Sequence, residues 1–181
     1  DLQWVRTHSN GGYDAYEHIV ETAEGFAAVG YTNAEDRENT FFAEGRGYLA
    51  FMDPEATQTT GKSLRDDLAQ AYRIARHGEA LIVSGLVWNE DDNLDFGLLK
   101  LEADGSRIWG RLFGGNRDDH CFGMDLGEDG SIFLTGHTLS ETTNWQTYTM
   151  KLDPDGVLKW ERKRGNPRGF DPRYIHDEAW G

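Results

Sequence analysis

The sequence predicts an all-β fold made of repeated four-stranded antiparallel sheets. Three observations predict it: landmark residues that recur about every 52 residues, apolar residues that alternate or run in short blocks, and Gly, Asp and Asn at the ends of those blocks. Alternation and short apolar blocks are typical of strands, and the bounding residues are typical of tight turns. A unit of four antiparallel strands that recurs about every 50 residues is typical of a β-propeller blade.

The repeat is clearest between residues 4–33 and 109–140, and another copy begins at residue 160. A more degenerate copy starts near Ser63. Each copy has an Asp before its first strand, a Gly in the following turn and a Gly inside the second strand. These landmarks are Asp14, Asp67, Asp119 and Asp171, then Gly25, Gly78 and Gly130, then Gly30, Gly85 and Gly136. We therefore expect a single β-propeller segment over 1–181, about three and a half repeats long, with boundaries near 8–62, 63–113, 114–164 and a partial repeat at 165–181.

Each repeat divides into four predicted strands, labelled a to d. Strand a reads YEHIVET, AYRIAR or CFGMDLG, and strand b reads FAAVGYT, ALIVSGLVW or IFLTGHT. Strand c reads YLAFMD, FGLLKLE or YTMKLD, and strand d reads SRIWGRLF or VLKWERK. The c–d turns read DPEAT, EADGS and DPDGV, and Asp-Gly supplies the positive φ that tight hairpins need.

The landmarks combine into the pattern W-x-x-x-x-G-G-x-x-D, then D-G-x-(I/F)-(aliphatic)-x-G-x-T, then K-L-D-x-D-G-x-x-x-W. Its clearest carriers are Trp109, Gly114, Gly115, Asp119, Asp129, Gly130, Gly136, Lys151, Leu152, Asp153, Asp155, Gly156 and Trp160. This pattern resembles the bacterial β-propeller repeats of the delta-60 type over nearly the whole chain. The resemblance implies a propeller of a kind often found in exported bacterial proteins, with no common activity. A secreted or cell-surface location is therefore expected, although no targeting signal is visible.

The repeat count is incomplete for a closed ring, since propellers usually need at least four blades. The chain opens on what reads as a d strand and stops near the first turn of a fourth repeat. Two interpretations follow. The chain is part of a longer propeller, or copies of it self-associate edge to edge, because an open sheet edge invites pairing with another chain.

The charge balance excludes two classes of partner. Lys and Arg number 18 against 32 Asp and Glu, giving a net charge of −14, and such a surface repels nucleic-acid phosphates and anionic lipid headgroups. No apolar stretch approaches the roughly 20 residues that cross a bilayer. We therefore expect neither nucleic acid nor membrane as a partner. The single cysteine, Cys121, excludes an intramolecular disulfide and is expected to be a buried small apolar residue.

The variable loops indicate where a ligand would bind. In a four-stranded meander the b–c and d–a connections emerge at one end, and the short a–b and c–d turns at the other. The b–c loops differ between repeats, and variable loops on a rigid scaffold commonly carry function. The predicted ligand-binding residues at that end are Trp88, Trp145, Asp119 and Asp171. An exposed indole can stack on a sugar or a protein; the alternatives are blade packing for Trp88 and Trp145, and turn capping for the carboxylates.

The b–c loop of the second repeat contains the strongest metal-like pattern. Asp91, Asn93 and Asp95 alternate as hard oxygen ligands do in calcium loops. The bidentate Glu of such loops is missing at the right distance, so a solvated acidic loop is the alternative. Calcium is thus the one cofactor the sequence suggests. The six histidines show no spacing typical of zinc.

Residues 56–63 suggest a different protein, because they fit a loosened phosphate-loop pattern and precede apolar residues at helical spacing. The first Gly of that pattern is Ala56, and acidic Asp53 and Glu55 lie just upstream. A helix following Lys62 would overturn the repeat assignment.

These observations favour a non-catalytic binding or interaction module that takes a carbohydrate, a protein or an ion at the b–c and d–a end. One alternative is a carbohydrate-active enzyme in which Asp119 and Asp171 act as acid and base. Another is a purely structural or assembly role. An enzyme would need carboxylates about 5–10 Å apart across one open cleft.

Overall fold

The computed structural model describes residues 5–9, 13–34, 46–141 and 144–165. Within them lie three four-stranded sheets whose neighbouring strands are all antiparallel and adjacent in chain order. Sheet 1 contains β1 (Tyr13–Thr22), β2 (Gly25–Ala34), β3 (Arg46–Met52) and β4 (Thr59–Ser63). Sheet 2 contains β5 (Gln70–His77), β6 (Ala80–Trp88), β7 (Leu94–Leu101) and β8 (Arg107–Phe113). Sheet 3 contains β9 (Asp119–Leu126), β10 (Ile132–Thr138), β11 (Gln146–Leu152) and β12 (Leu158–Arg164). The predicted all-β class and four-strand unit are confirmed.

The first strand of each sheet bulges opposite the glycine inside the second strand. In sheet 2 the pairing of β5 with β6 shifts between Ala71 and Arg73, and such a bulge bends the strand. A Cβ on Gly85 would consequently lie 1.9 Å from the carbonyl oxygen of Gln70. No side chain fits there, which explains the glycine inside each second strand. The equivalent close pairs are Gly30 with Ala15 and Gly136 with His120.

Among the described residues, three hydrophobic cores lie between the sheets, one between sheets 1 and 2 and two between sheets 2 and 3. The first strand of each following sheet packs against the first three strands of the preceding one, so that β5 contacts β1, β2 and β3, and β9 contacts β5, β6 and β7. Prominent side chains of these cores are Leu49, Ile74, Phe96, Leu134 and Met150. Cys121 is buried in the second core, as expected. The fourth strands are largely exposed.

One landmark of the repeat was placed wrongly in the sequence. Gly85 faces the carbonyl of Gln70, and Gly136 faces the carbonyl of His120. Gln70 therefore corresponds to His120, and the residues just before them, Ala69 in sheet 2 and Asp119 in sheet 3, occupy the same position. Asp67 lies two residues before Ala69, in the connection from β4 to β5. Its carboxylate pairs instead with the guanidinium of Arg107.

The phosphate-loop alternative is wrong, since Gly61, Lys62 and Ser63 end strand β4 and a turn follows them. No described residue lies in a helix, and accordingly no helix of the described part could span a membrane. The predicted fourth, partial repeat lies outside the described residues except for Gly165.

Candidate functional site

The sheets present two ends of different character. The loop end carries the connections 64–69 and 114–118 and the b–c loops 89–93, 139–141 and 144–145. The turn end carries the a–b turns 23–24, 78–79 and 127–131 and the c–d turns 53–58, 102–106 and 153–157. Buried polar side chains of sheets 2 and 3 are concentrated at the loop end: Asp95, Asp119, His120, His137, Thr138 and Ser140.

Asp119 begins β9 and is completely buried. Its Oδ2 accepts hydrogen bonds from the backbone N–H of Gly115 (2.8 Å) and from Oγ of Ser140 (2.7 Å). Burial raises the pKa of Asp119, and hydrogen bonds from Thr138, Ser140 and Gly115 oppose that rise. The carboxylate therefore ties the connection between sheets 2 and 3 to the b–c loop of sheet 3. This is the capping role that the sequence left as an alternative.

The loop predicted to bind calcium is organised by Asn89. Its Oδ1 accepts hydrogen bonds from the N–H groups of Asp91 (2.9 Å) and Asn93 (3.2 Å). Its Nδ2 donates to Oδ1 of Asn93 (2.8 Å) and Oδ2 of Asp95 (2.9 Å). An amide thus contacts two of the three predicted ligands, while Asp91 is exposed. Within the described ranges no three His, Cys, Asp or Glu side chains gather as a metal site requires, and calcium binding remains a prediction.

The structure brings Asp95 and Asp119 together across Gly114. A Cβ on Gly114 would lie 2.0 Å from Oδ1 of Asp95 and 2.8 Å from Oδ2 of Asp119. Burial, with smaller contributions from the negative charges of Asp119 and Asp118, raises the pKa of Asp95 from 3.8 to about 6 against a hydrogen bond from Asn89 that lowers it. Two buried carboxyl groups this close favour a proton on one of them. The sequence predicted both residues but not their proximity.

Trp145 packs against two buried histidines of sheet 3. Nδ1 of His120 lies 3.1 Å from Nε2 of His137, and the indole of Trp145 lies 4.6 Å from both imidazole rings. Burial lowers the pKa of His120 to about 4, so this imidazole is neutral at pH 7. Both imidazoles contact the half-buried indole, as the packing alternative for Trp145 requires, and ligand binding by Trp145 stays a prediction.

Trp88 is 44% exposed and borders a separate pocket between sheets 1 and 2. The cavity measures about 330 Å³ and is also lined by Arg46, Arg65 and Asp67. Asp67 is ion-paired with Arg107. Trp88 is thus exposed at the loop end, as predicted. It borders a pocket, whereas Trp145 packs against two imidazole rings.

A pocket that the sequence reading missed lies at the loop end of sheet 1. It measures about 210 Å³, and aromatic rings from three adjacent strands line it: Tyr16 of β1, Tyr31 of β2 and Tyr48 of β3. His8 stacks over Tyr16 and over Tyr48 with ring centroids 6.2 Å apart in each case. Asp14, at the pocket wall, accepts hydrogen bonds from Ser9 (2.8 Å) and from Thr32.

The repeat contains a signal for this pocket. Tyr16 takes the position of Ala71 and Cys121 in the other sheets, and Tyr31 that of Leu86 and His137. Sheet 1 therefore carries exposed or half-exposed rings where the other sheets have core or packing residues.

Neither protein-family models nor curated proteins match this chain. The carboxyl pair and the imidazoles near Trp145 are buried and can stabilise loops, whereas the tyrosine pocket and the Trp88 pocket are open and can hold a ligand. Asp171, the remaining predicted ligand residue, lies outside the described residues.

Proposed function

We propose that the three sheets are blades of a β-propeller and that the chain is a non-catalytic module that binds carbohydrate at its loop end. The recurrent bulge, the glycine facing it and the packing of each first strand on the preceding sheet support the blade interpretation. The resemblance to delta-60-type repeats points the same way. A propeller positions loops of successive blades around one end, where ligands commonly bind.

The tyrosine pocket carries this proposal. Its aromatic lining, formed by Tyr16, Tyr31, Tyr48 and His8, offers apolar ring faces with polar edges, a combination suited to the C–H face and hydroxyl groups of a sugar. Asp14 and Arg6 at the wall add hydrogen-bonding groups. The cavity of about 210 Å³ is below the roughly 300–1,000 Å³ of pockets for larger ligands. One sugar unit of a longer chain is the occupant that fits.

The absence of a carboxylate pair in this pocket supports binding rather than hydrolysis. Among its described lining residues Asp14 is the sole carboxylate, and glycoside hydrolysis usually needs two. Asp119, the other candidate acid, has no exposed surface and is occupied by Gly115 and Ser140.

Native affinity electrophoresis in gels containing soluble neutral polysaccharides tests this proposal. We expect retardation of the chain by at least one polysaccharide, and a binding constant about tenfold weaker or more for Tyr16→Ala, because an aromatic contact is lost. Trp160→Ala is the matched control, since Trp160 is similarly exposed (37% against 40%) but lies on β12. Equal retardation of the Tyr16 variant, or no retardation by any polysaccharide, would contradict the proposal.

A further inference from the structure

A larger cavity lies at the opposite, turn end, between sheets 1 and 2. It measures about 640 Å³, and its floor consists of Phe26, Phe51 and Met52. Phe51 also packs against the core between the two sheets, which anchors the floor. These three side chains are only half-buried, so an apolar surface is left open to solvent at the bottom of the cavity.

The rim of this cavity is acidic. It carries Glu24, Asp53, Glu79 and Asp104, and none of them forms an ion pair with a described residue. Hydrogen bonds from Gln58 N–H (2.8 Å) and Thr57 Oγ1 (2.7 Å) lower the pKa of Asp53. The cavity with this floor and rim is called the acidic groove below.

A second rim carboxylate is also held in its charged form. Hydrogen bonds from Ser106, among them one from its backbone N–H at 2.8 Å, lower the pKa of Asp104, and the charge of Lys62 adds a smaller contribution. Asp53 and Asp104 thus keep fixed negative charges on opposite sheets of the groove at neutral pH.

The corresponding junction between sheets 2 and 3 is built differently. There Asp129 pairs with Lys151 (3.6 Å) and Asp153 with Lys159 (2.6 Å), so two turn carboxylates of sheet 3 have a cationic partner within the chain. A Cβ on Gly156 would lie 2.8 Å from the indole of Trp109, and a Cβ on Gly105, its counterpart in sheet 2, would lie 3.0 Å from Leu49 of sheet 1. At both junctions the c–d turn of the later sheet therefore packs on the sheet before it. The first junction therefore differs in that none of its four rim carboxylates forms an ion pair with a described residue.

We propose that the acidic groove binds an extended basic peptide segment of a partner protein. Lysine and arginine side chains suit it because their alkyl stems cover apolar surface while their head groups reach charged neighbours. The rings of Phe26 and Phe51 can also attract a cation lying over them. This inference is independent of the carbohydrate proposal, because the acidic groove and the tyrosine pocket lie at opposite ends of sheet 1.

Fluorescence anisotropy with a labelled short peptide of alternating lysine and leucine tests the inference. We expect saturable binding that weakens as salt rises, and weaker binding of a lysine–serine peptide that has the same charge but no apolar face. The double variant Glu24→Gln/Glu79→Gln should bind about three- to tenfold more weakly, as expected for two exposed ion pairs. Both side chains are exposed, and circular dichroism checks the fold.

The matched control is Glu90→Gln/Glu128→Gln, which removes two exposed charges away from the groove. If it weakens the peptide as much as the groove variant does, the attraction comes from the net charge of the chain and the inference is wrong. If the lysine–serine peptide binds as tightly as the lysine–leucine peptide, the apolar floor does not contribute to binding. Displacement of the peptide by calcium at a comparable concentration would make the groove a site for small cations and overturn the inference as well.

Discussion

The loop end and the turn end use the same residue type, aspartate, in opposite ways. At the loop end Asp119 and Asp95 are buried, and burial is the largest cause of their raised pKa values. At the turn end Asp153 is partly accessible, and hydrogen bonds from Lys159 and the Val157 N–H lower its pKa. Loop-end aspartates therefore hold separate chain segments together at an electrostatic cost, whereas turn-end aspartates fix one local turn.

The two ends of the sheets therefore differ in how their connections are stabilised. The turns are closed locally by Asp and Gly, as in the turn of Asp153 and Gly156 (φ 75°), so they need few contacts with the rest of the sheet. The loop end also has local hydrogen bonds, as in the Asn89 loop, but it depends in addition on buried hydrogen bonds between segments far apart in sequence, such as that from Ser140 to Asp119. Substitutions at the loop end should therefore have larger effects.

The largest effect is expected for Asp119→Ala. This change leaves the Gly115 N–H and the Ser140 hydroxyl without their buried acceptor, and we expect the free energy of unfolding to fall by about 2–4 kcal/mol. Urea unfolding at pH 7 measures it. Asp119→Asn keeps an acceptor oxygen and should cost less. A loss no greater for alanine than for asparagine would mean that these two hydrogen bonds do not stabilise the loop end.

A smaller effect of opposite sign is expected for Asp95→Asn at pH 8. Because the folded pKa of Asp95 is raised from 3.8 to about 6, its favourable contribution is complete below pH 3.8 and is lost as pH rises through 6. The neutral amide avoids this loss, so the variant should gain about 1–2 kcal/mol over the wild type at pH 8 and nothing at pH 4. Urea unfolding across this range measures the difference.

The Asp95 variant must be compared with the wild type at each pH, because the titration of His120 changes the stability of both proteins with pH in the opposite direction. The folded pKa of His120 is lowered from 6.5 to about 4, so its contribution is present above pH 6.5 and is lost on acidification. Asp91→Asn is the matched control, because it removes an exposed carboxylate of the same loop and leaves the buried pair of Asp95 and Asp119 in place; a gain as large as that of Asp95→Asn would mean that the buried pair is not its source. If calcium stabilises the wild type at pH 8 but not the Asp95 variant, a metal rather than a proton relieves the pair, as the sequence pattern predicted.

The four-strand repeat could be predicted from sequence because its signals are local. Alternating apolar residues and the Asp-Gly of EADGS and DPDGV act within a few residues, and the structure has a strand or a turn at each of them. The position of Asp67 was predicted wrongly because the connection from β4 to β5 is fixed by core packing of Leu64 and Leu68. A regular spacing of aspartates could not reveal that constraint.

The candidate sites were less predictable because they combine residues from separate strands and sheets. Proximity of Asp95 to Asp119 depends on how sheet 3 docks on sheet 2, and no pattern within one repeat encodes it. The tyrosine pocket draws on Tyr16, Tyr31 and Tyr48, one from each of three strands. Alignment of the repeats on their structural register, rather than on the aspartates, would have exposed Tyr16 and Tyr31 as departures from the other two sheets. Tyr48 would not have stood out, because Tyr148 takes the same position in sheet 3.

The smallest effect is expected at the turn end, for Asp153→Asn. The amide can still accept hydrogen bonds from the N–H groups of Asp155 and Val157, and it loses only the ion pair with Lys159, which salt screens. We expect a slight loss of stability at pH 7 that shrinks in high salt. Because the folded pKa of Asp153 is lowered from 3.8, its contribution is complete above pH 3.8 and is lost as pH falls through the folded pKa, so the difference should vanish in stronger acid. Urea unfolding at low and high salt measures this, and a loss as large as that of Asp119→Ala would contradict the local role of the turn-end aspartates.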